Sequence, residues 1–296
     1  MNISPTTLSL DIANFQSRAL NSLFRTSSGF NDAMSSINTS VFASLDSMST
    51  NPLFFPKSSP ATELPSLGRN LALADPESAY KMMSVINNRD VSYKAQFSEL
   101  SQMQSYVSRL QDTGQNLGNI ESSTHNEQIK AQLIGFTEQY NSWVKRFDAD
   151  MQTGGILDGT QAAEVAVYEL DQSIKNIFNG ATDGLHGLKD IGVNIDSNTR
   201  LATFESSRLD WVLANNKQGA INTIQEFSAN FAKSASLLNA ENNFIPSQLN
   251  NLNGAIRYIA DNKSALQAEF GTGTPAKPAG LVAQALTAYN QTYALA

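Results

Sequence analysis

Two apolar stripes in this sequence step three and four residues at a time. One is Ile129, Leu133, Phe136, Tyr140, Trp143 and Phe147. The other is Leu249, Leu252, Ile256, Ile259, Lys263, Leu266 and Phe270. Alternating threes and fours keep one face of an α-helix apolar. It is the seam of helices packed at a shallow angle on their neighbours. A chain carrying two such seams is committed to burying them against other helices. Lys263 is the one polar seam position and is expected to set register there.

A third stripe is less regular: Tyr93, Phe97, Leu100, Met103, Val107, Leu110 and Leu117, with Gly114 in the gap before Leu117. Its repeated step of three resembles a stammer in a coiled coil. Asp75-Pro76 predicts the helix start, with proline at the first helical position. Two shorter helices are expected over about 160–178 (Val165, Tyr168, Ile174, Ile177, Phe178) and about 217–239 (Ile224, Phe227, Phe231, Leu238). Gly271, Gly273, Pro275, Pro278 and Gly280 predict a break. A last helix then carries Val282, Leu286, Tyr289 and Tyr293. Upstream, Leu8, Ile12, Phe15, Ala19 and Leu23 give a weak helical pattern. Residues 26–75 are rich in Ser, Thr, Asn and Pro and read as loop or linker, with Leu53, Phe54 and Phe55 as a short apolar exception. The division expected is a flexible segment over 1–75, a helical domain over 76–270, and a Gly/Pro linker with a C-terminal helix over 271–296.

One stretch breaks the helical rule. In 185–213, Val193 and Ile195 alternate with Asn194 and Asp196, Ser197-Asn198-Thr199-Arg200 has turn chemistry, and Leu201, Ala202, Thr203 and Phe204 form a return strand. Ser207-x-x-Asp210 then has the spacing of a capping box and starts a short helix with Leu209, Val212 and Leu213 on one side. An isolated two-stranded hairpin is barely stable in water, so it must pack on the helices or on a partner. The fold class expected is mainly α: long amphipathic helices in a coiled-coil-like bundle, with one small β-hairpin near 193–204.

Composition narrows function. The 296 residues carry a net charge of −7, only 16% of them are charged, and none is cysteine. That is the wrong sign for nucleic acid or an anionic membrane surface. Disulfides, thiolate nucleophiles and cysteine metal sites are excluded. No apolar run approaches a membrane span, so no membrane insertion is expected. Residues 1–20 have no positive n-region and no continuous apolar h-region, so a cleaved secretory signal is not expected. Catalytic signals are poor. The two histidines are His125 and His186. Asp183, His186 and Asp190 lie close together, but they flank glycines in a loop and no second cluster completes a coordination shell. There is no phosphate loop, no dinucleotide fingerprint and no nucleophile elbow. Asp148 and Asp150 lie two apart on a helix, point different ways and are expected at the surface. No enzyme activity, cofactor or metal is expected.

Two stretches have a familiar pattern. FTEQYNSWVKRFDADMQTGGILDG (136–159) resembles the F-x-x-x-Y-N-x-x-V helix of the bacterial flagellar filament-capping protein family, also called flagellar hook-associated protein two. GLHGLKDIGVNIDSNTRLATFESSRLDWVLANN (184–216) is similar to a later segment of that family through Leu188, Ile191, Gly192, Val193, Leu201, Phe204, Leu209, Leu213 and Asn215. Residues 217–227 fit its next helix and 86–118 its N-terminal coiled-coil helix, so the resemblance covers about 86–270. Family members carry a large β-rich insertion where this chain has only NIESSTHNEQ (119–128), so the resemblance is to a reduced form. It implies a secreted axial protein, exported through the flagellar secretion channel without a cleaved signal peptide and assembling at the filament tip to guide flagellin. It also implies a homo-oligomer whose partners are flagellin and other axial proteins, with an export chaperone as a further candidate. Its structural or interface candidates are Tyr140, Asn141, Trp143, Phe147, Gly192, Leu201, Phe204 and Leu209. On this reading the hairpin braces the helices and presents an edge to the next subunit. The alternative is a secreted adhesin or effector on a similar helical scaffold.

Overall fold

A computed structural model of the chain describes residues 68–176 and 184–293. They are mainly helical, with one two-stranded antiparallel sheet. In chain order they form α1 (Pro76–Leu117), α2 (Asn126–Met151), α3 (Gln161–Lys175), a 3-10 turn (Leu188–Ile191), β1 (Val193–Ile195), β2 (Ala202–Phe204), α4 (Ser206–Leu238), α5 (Phe244–Asp261), α6 (Lys263–Phe270) and α7 (Gly280–Tyr293). Contacts divide the described residues into two compact units, 68–95 with 251–287 and 96–250 with 288–293. The weak pattern over 1–25, the apolar trio Leu53–Phe55, and Ile177 and Phe178 lie outside the described residues.

In the first unit, α1 starts where the Asp-Pro pair predicts. The Asp75 carboxylate accepts hydrogen bonds from the Ser78 N–H at 3.0 Å and the Ser78 hydroxyl at 2.6 Å. These bonds cap the helix and hold the Asp75 carboxyl below its usual range. Ala79, Met83 and Ile86 of α1 then pack with Ile259, Leu266 and Phe270. The Leu249–Phe270 seam does not run through one helix. It breaks at Asn262, between α5 and α6, and Lys263 is exposed. A lysine free to reach water stays out of the seam and sets no register in it. The Gly/Pro break over 271–279 is a strap bonded to α1 rather than a bare linker. Asn87 donates to the carbonyls of Thr272 and Thr274 at 3.1 and 3.0 Å, and the Thr274 N–H bonds to Ser84 Oγ at 2.7 Å.

In the second unit the α2 stripe is the core: Ile129, Leu133, Phe136, Tyr140, Trp143 and Phe147 are at most 2% exposed. Phe136 meets Phe227 and Phe231 of α4 edge-on, with centroids 5.2 and 5.0 Å apart, a favoured aromatic geometry. Gly114 is where α4 comes close to α1. A Cβ there would lie 2.6 Å from Phe231 Cδ1, and the Ser228 hydroxyl donates to the Gly114 carbonyl at 2.7 Å. The gap in the α1 stripe is thus a seat for a ring.

Two local expectations need correction here. The helix over 160–178 does not bury Tyr168, which is 62% exposed. Its inward face is Ala162, Ala163, Ala166, Leu170, Asp171 and Ile174. Ser207 and Asp210 make no capping box. The N-cap is Glu205, which forms no side-chain cap, and Asp210 instead pairs with Lys130 of α2 at 2.7 Å. The two helices expected around 207–239 are present and follow each other directly, separated by a kink at Asn216 (φ −151, ψ 60), whose Oδ1 accepts the Gly219 N–H at 3.0 Å. Asn216 restarts the helix with cap geometry.

Candidate functional site

The hairpin is built by its turn. Asp196 Oδ1 accepts from the N–H groups of Asn198 and Thr199 at 3.0 and 2.7 Å and from the Thr199 hydroxyl at 2.9 Å. The Thr199 and Asn198 bonds depress the Asp196 carboxyl below its usual range. Arg200 then takes the left-handed conformation (φ 59), and Asp196 N–H reaches Leu201 O at 2.9 Å. The strands pair Val193 with Phe204, Asn194 with Thr203 and Ile195 with Ala202. Gly192 forms the entry. It is left-handed (φ 97), and a Cβ would lie 2.5 Å from the Glu205 carbonyl oxygen. Only glycine meets both demands. Gly192→Val should therefore cost roughly 2 kcal/mol or more in urea denaturation, and an unaltered midpoint would contradict this account of the turn.

Helix α2 then locks the ribbon through two consecutive residues. Asn141 Nδ2 donates to the Ala202 carbonyl at 2.8 Å, and Asn141 Oδ1 accepts the Ala202 N–H at 2.7 Å. One side-chain amide therefore imitates a neighbouring strand. The register leaves the Ala202 backbone groups facing away from β1, so this outward edge of β2 is occupied from within. Val193 of β1 is 1% exposed. The hairpin thus braces α2, and at Ala202 the outward edge of β2 is already taken. Asn141→Ala strands both Ala202 groups and should cost about 2 kcal/mol. Hydrogen exchange at the Ala202 amide should accelerate with it; an unchanged rate would count against the lock.

Next to Asn141, the Tyr140 hydroxyl donates a short hydrogen bond to Asp171 of α3. Arg200 Nε lies 3.8 Å from the other oxygen of Asp171, close enough for an ion pair and too far for a hydrogen bond. Burial, and then the Asp171 bond, push the Tyr140 hydroxyl far above its ordinary range. Tyr140 is a fixed neutral donor to a buried carboxylate. It ties α2, α3 and the hairpin together.

A second polar cluster lies in the same unit. Arg146 of α2 donates to Glu99 of α1 at 2.5 Å, to Asp150 at 2.9 Å and to Gln102 at 2.9 Å. Asp150 is 2% exposed and Glu99 5%, so the expectation that Asp150 is a surface carboxylate is wrong. The reason is the three-dimensional neighbour: Arg146, four residues before Asp150, carries its charge inward. Burial, and then Asp150, push the Glu99 carboxyl up.

The candidates named from sequence therefore divide. Tyr140, Asn141 and Gly192 converge on the hairpin. Trp143, Phe147 and Leu209 are buried core, with Phe147 edge-on to Tyr106 at 5.4 Å. Leu201 and Phe204 are half-buried on the return strand. Asp171 and Glu99 escaped the sequence reading, and Arg200 was read as a turn residue without its ion pair to Asp171; an aspartate on an alanine-rich helix face was the one available signal for Asp171. Asp190 accepts the His186 N–H at 2.8 Å, and Asp183 lies outside the described residues. Among the described residues no three His, Asp or Glu groups come together to hold a metal, and no helix is long and apolar enough to cross a membrane.

Comparison with protein-family models, with curated proteins and with solved structures gives no match.

Proposed function

We propose that the chain is a structural axial protein of the bacterial flagellum, cap-like, secreted, and working by self-association and contact with flagellin rather than by catalysis. One observation carries this reading. The two stretches that resemble the capping family, 136–159 and 184–216, meet in space at the Asn141–Ala202 lock. The two stretches that suggest the family are thus parts of one structural device, a helix pinning a hairpin, and this supports the reading. Its polar residues hold elements together; Tyr140 and Asp171 are spent on each other.

Deletion of the gene in the organism that encodes it tests the proposal. Unpolymerised flagellin should appear in the medium, with short or absent filaments under the electron microscope. The purified chain should form closed oligomers by mass measurement in solution. Normal filaments in a clean deletion strain would sink the reading.

The second reading is a secreted adhesin or effector. The exposed rings of Tyr168 and of Trp211, 59% exposed, favour it, because rings of this kind anchor contact surfaces. Binding to host cells or mucin with unaltered motility would select it.

A further inference from the structure

The Glu99–Arg146–Asp150 cluster takes no part in the hairpin lock and is independent of any flagellar role. It holds two carboxylates and one guanidinium. Glu99 and Asp150 expose 6% and 3% of their side chains, against 30% for Arg146. With both acids ionised, the buried part of the cluster carries an excess negative charge. Asp150 also sits in the last turn of α2, the negative end of the helix dipole, and that turn has no basic residue. Gln102 supplies a neutral acceptor to Arg146, so it adds no positive charge. The charged groups acting on Glu99 are Asp150 and Arg146 of α2. The nearby Asp148 is exposed and bonded to Gln152, and Asp158, in the loop after α2, is exposed and accepts the Gly154 N–H.

Two carboxylates that share one cation in a water-poor site cannot both ionise cheaply. We infer that Glu99, buried with Asp150 around the single Arg146 guanidinium, forms a proton-binding latch between α1 and α2, with Glu99 taking the proton, so that this unit is more stable in mild acid than at alkaline pH.

The sign follows from linkage. A carboxyl raised in the folded state contributes stability that is complete below its unfolded range, near pH 4.3, and is lost as pH rises through the folded value. For each pH unit by which the folded group exceeds the unfolded one, the folding constant changes about tenfold. The direction is opposite to that of Asp75 and Asp196, whose lowered carboxyls favour the fold at higher pH. Their loss begins below the window used here.

Urea denaturation of the full chain from pH 5.5 to 8.5 is the test. The wild-type midpoint should fall as pH rises, and Glu99→Gln, a neutral mimic of the protonated side chain, should abolish that slope and be the more stable form at pH 8.5. A flat wild-type profile, or a slope that survives in Glu99→Gln, overturns the latch. Titration of the Glu99 side-chain carbon by NMR in the wild-type chain gives a second reading that needs no variant. A midpoint in the ordinary glutamate range would also overturn it.

Discussion

Arg146→Ala is expected to destabilise the chain by roughly 3–5 kcal/mol, the usual cost of removing one partner from a buried ion pair. The guanidinium serves Glu99, Asp150 and Gln102 together and lies over the Phe147 ring at 4.9 Å. Removing it leaves two acids at 5% and 2% exposure with no cation. The loss measures the stranded acids more than the strength of the pair. Arg146→Ala should therefore cost much less when Glu99→Gln and Asp150→Asn are already present. Arg146→Lys should fall between, since an ammonium cannot fork to both carboxylates. A small loss in Arg146→Ala, equal in both backgrounds by denaturant titration, would mean that water reaches the acids.

Trp143→Ala should also cost about 3–5 kcal/mol. The ring is 1% exposed and lies 5.9 Å from Tyr140. It is the bulkiest side chain of the α2 seam, and alanine would leave a void between helices that cannot close without moving Tyr140 and its bond to Asp171. The indole N–H meets no hydrogen-bonding partner among the described residues. Trp143→Phe loses volume and no hydrogen bond, so less than half of the penalty should remain. Circular dichroism is the better readout. Trp211, the other of the chain's two tryptophans, is 59% exposed and changes its surroundings little on unfolding. An Ala variant with wild-type stability would show that this seam is not core.

Much of the fold was legible because periodicity reports burial. The α2 stripe from Ile129 to Phe147 is buried at each of its apolar positions, and the turn chemistry of 197–200 placed the hairpin. Reading failed where apolar character and burial part company. Tyr168 is apolar enough to extend a stripe, yet the α3 face that packs combines Leu170 and Ile174 with three alanines and Asp171, since small residues let backbones approach. Lys263 kept the three-four rhythm although Asn262 had already ended the helix. Asp150 was misplaced because its burial depends on Arg146 and on Glu99, 51 positions earlier in the chain. Long-range polar pairs leave no periodic trace. Asn141 was singled out through its resemblance, but that it would bond both backbone groups of Ala202 could not be read from spacing.

That amide has a consequence for crowded solutions. A bare ribbon edge is a template on which identical chains stack into fibres. Here Asn141 fills the outward pair of Ala202 before another molecule can, so β2 takes no further strand at that position. A neighbour that meets β2 at this point must then be recognised by side chains, which can discriminate between neighbours, and not by main-chain stacking, which cannot.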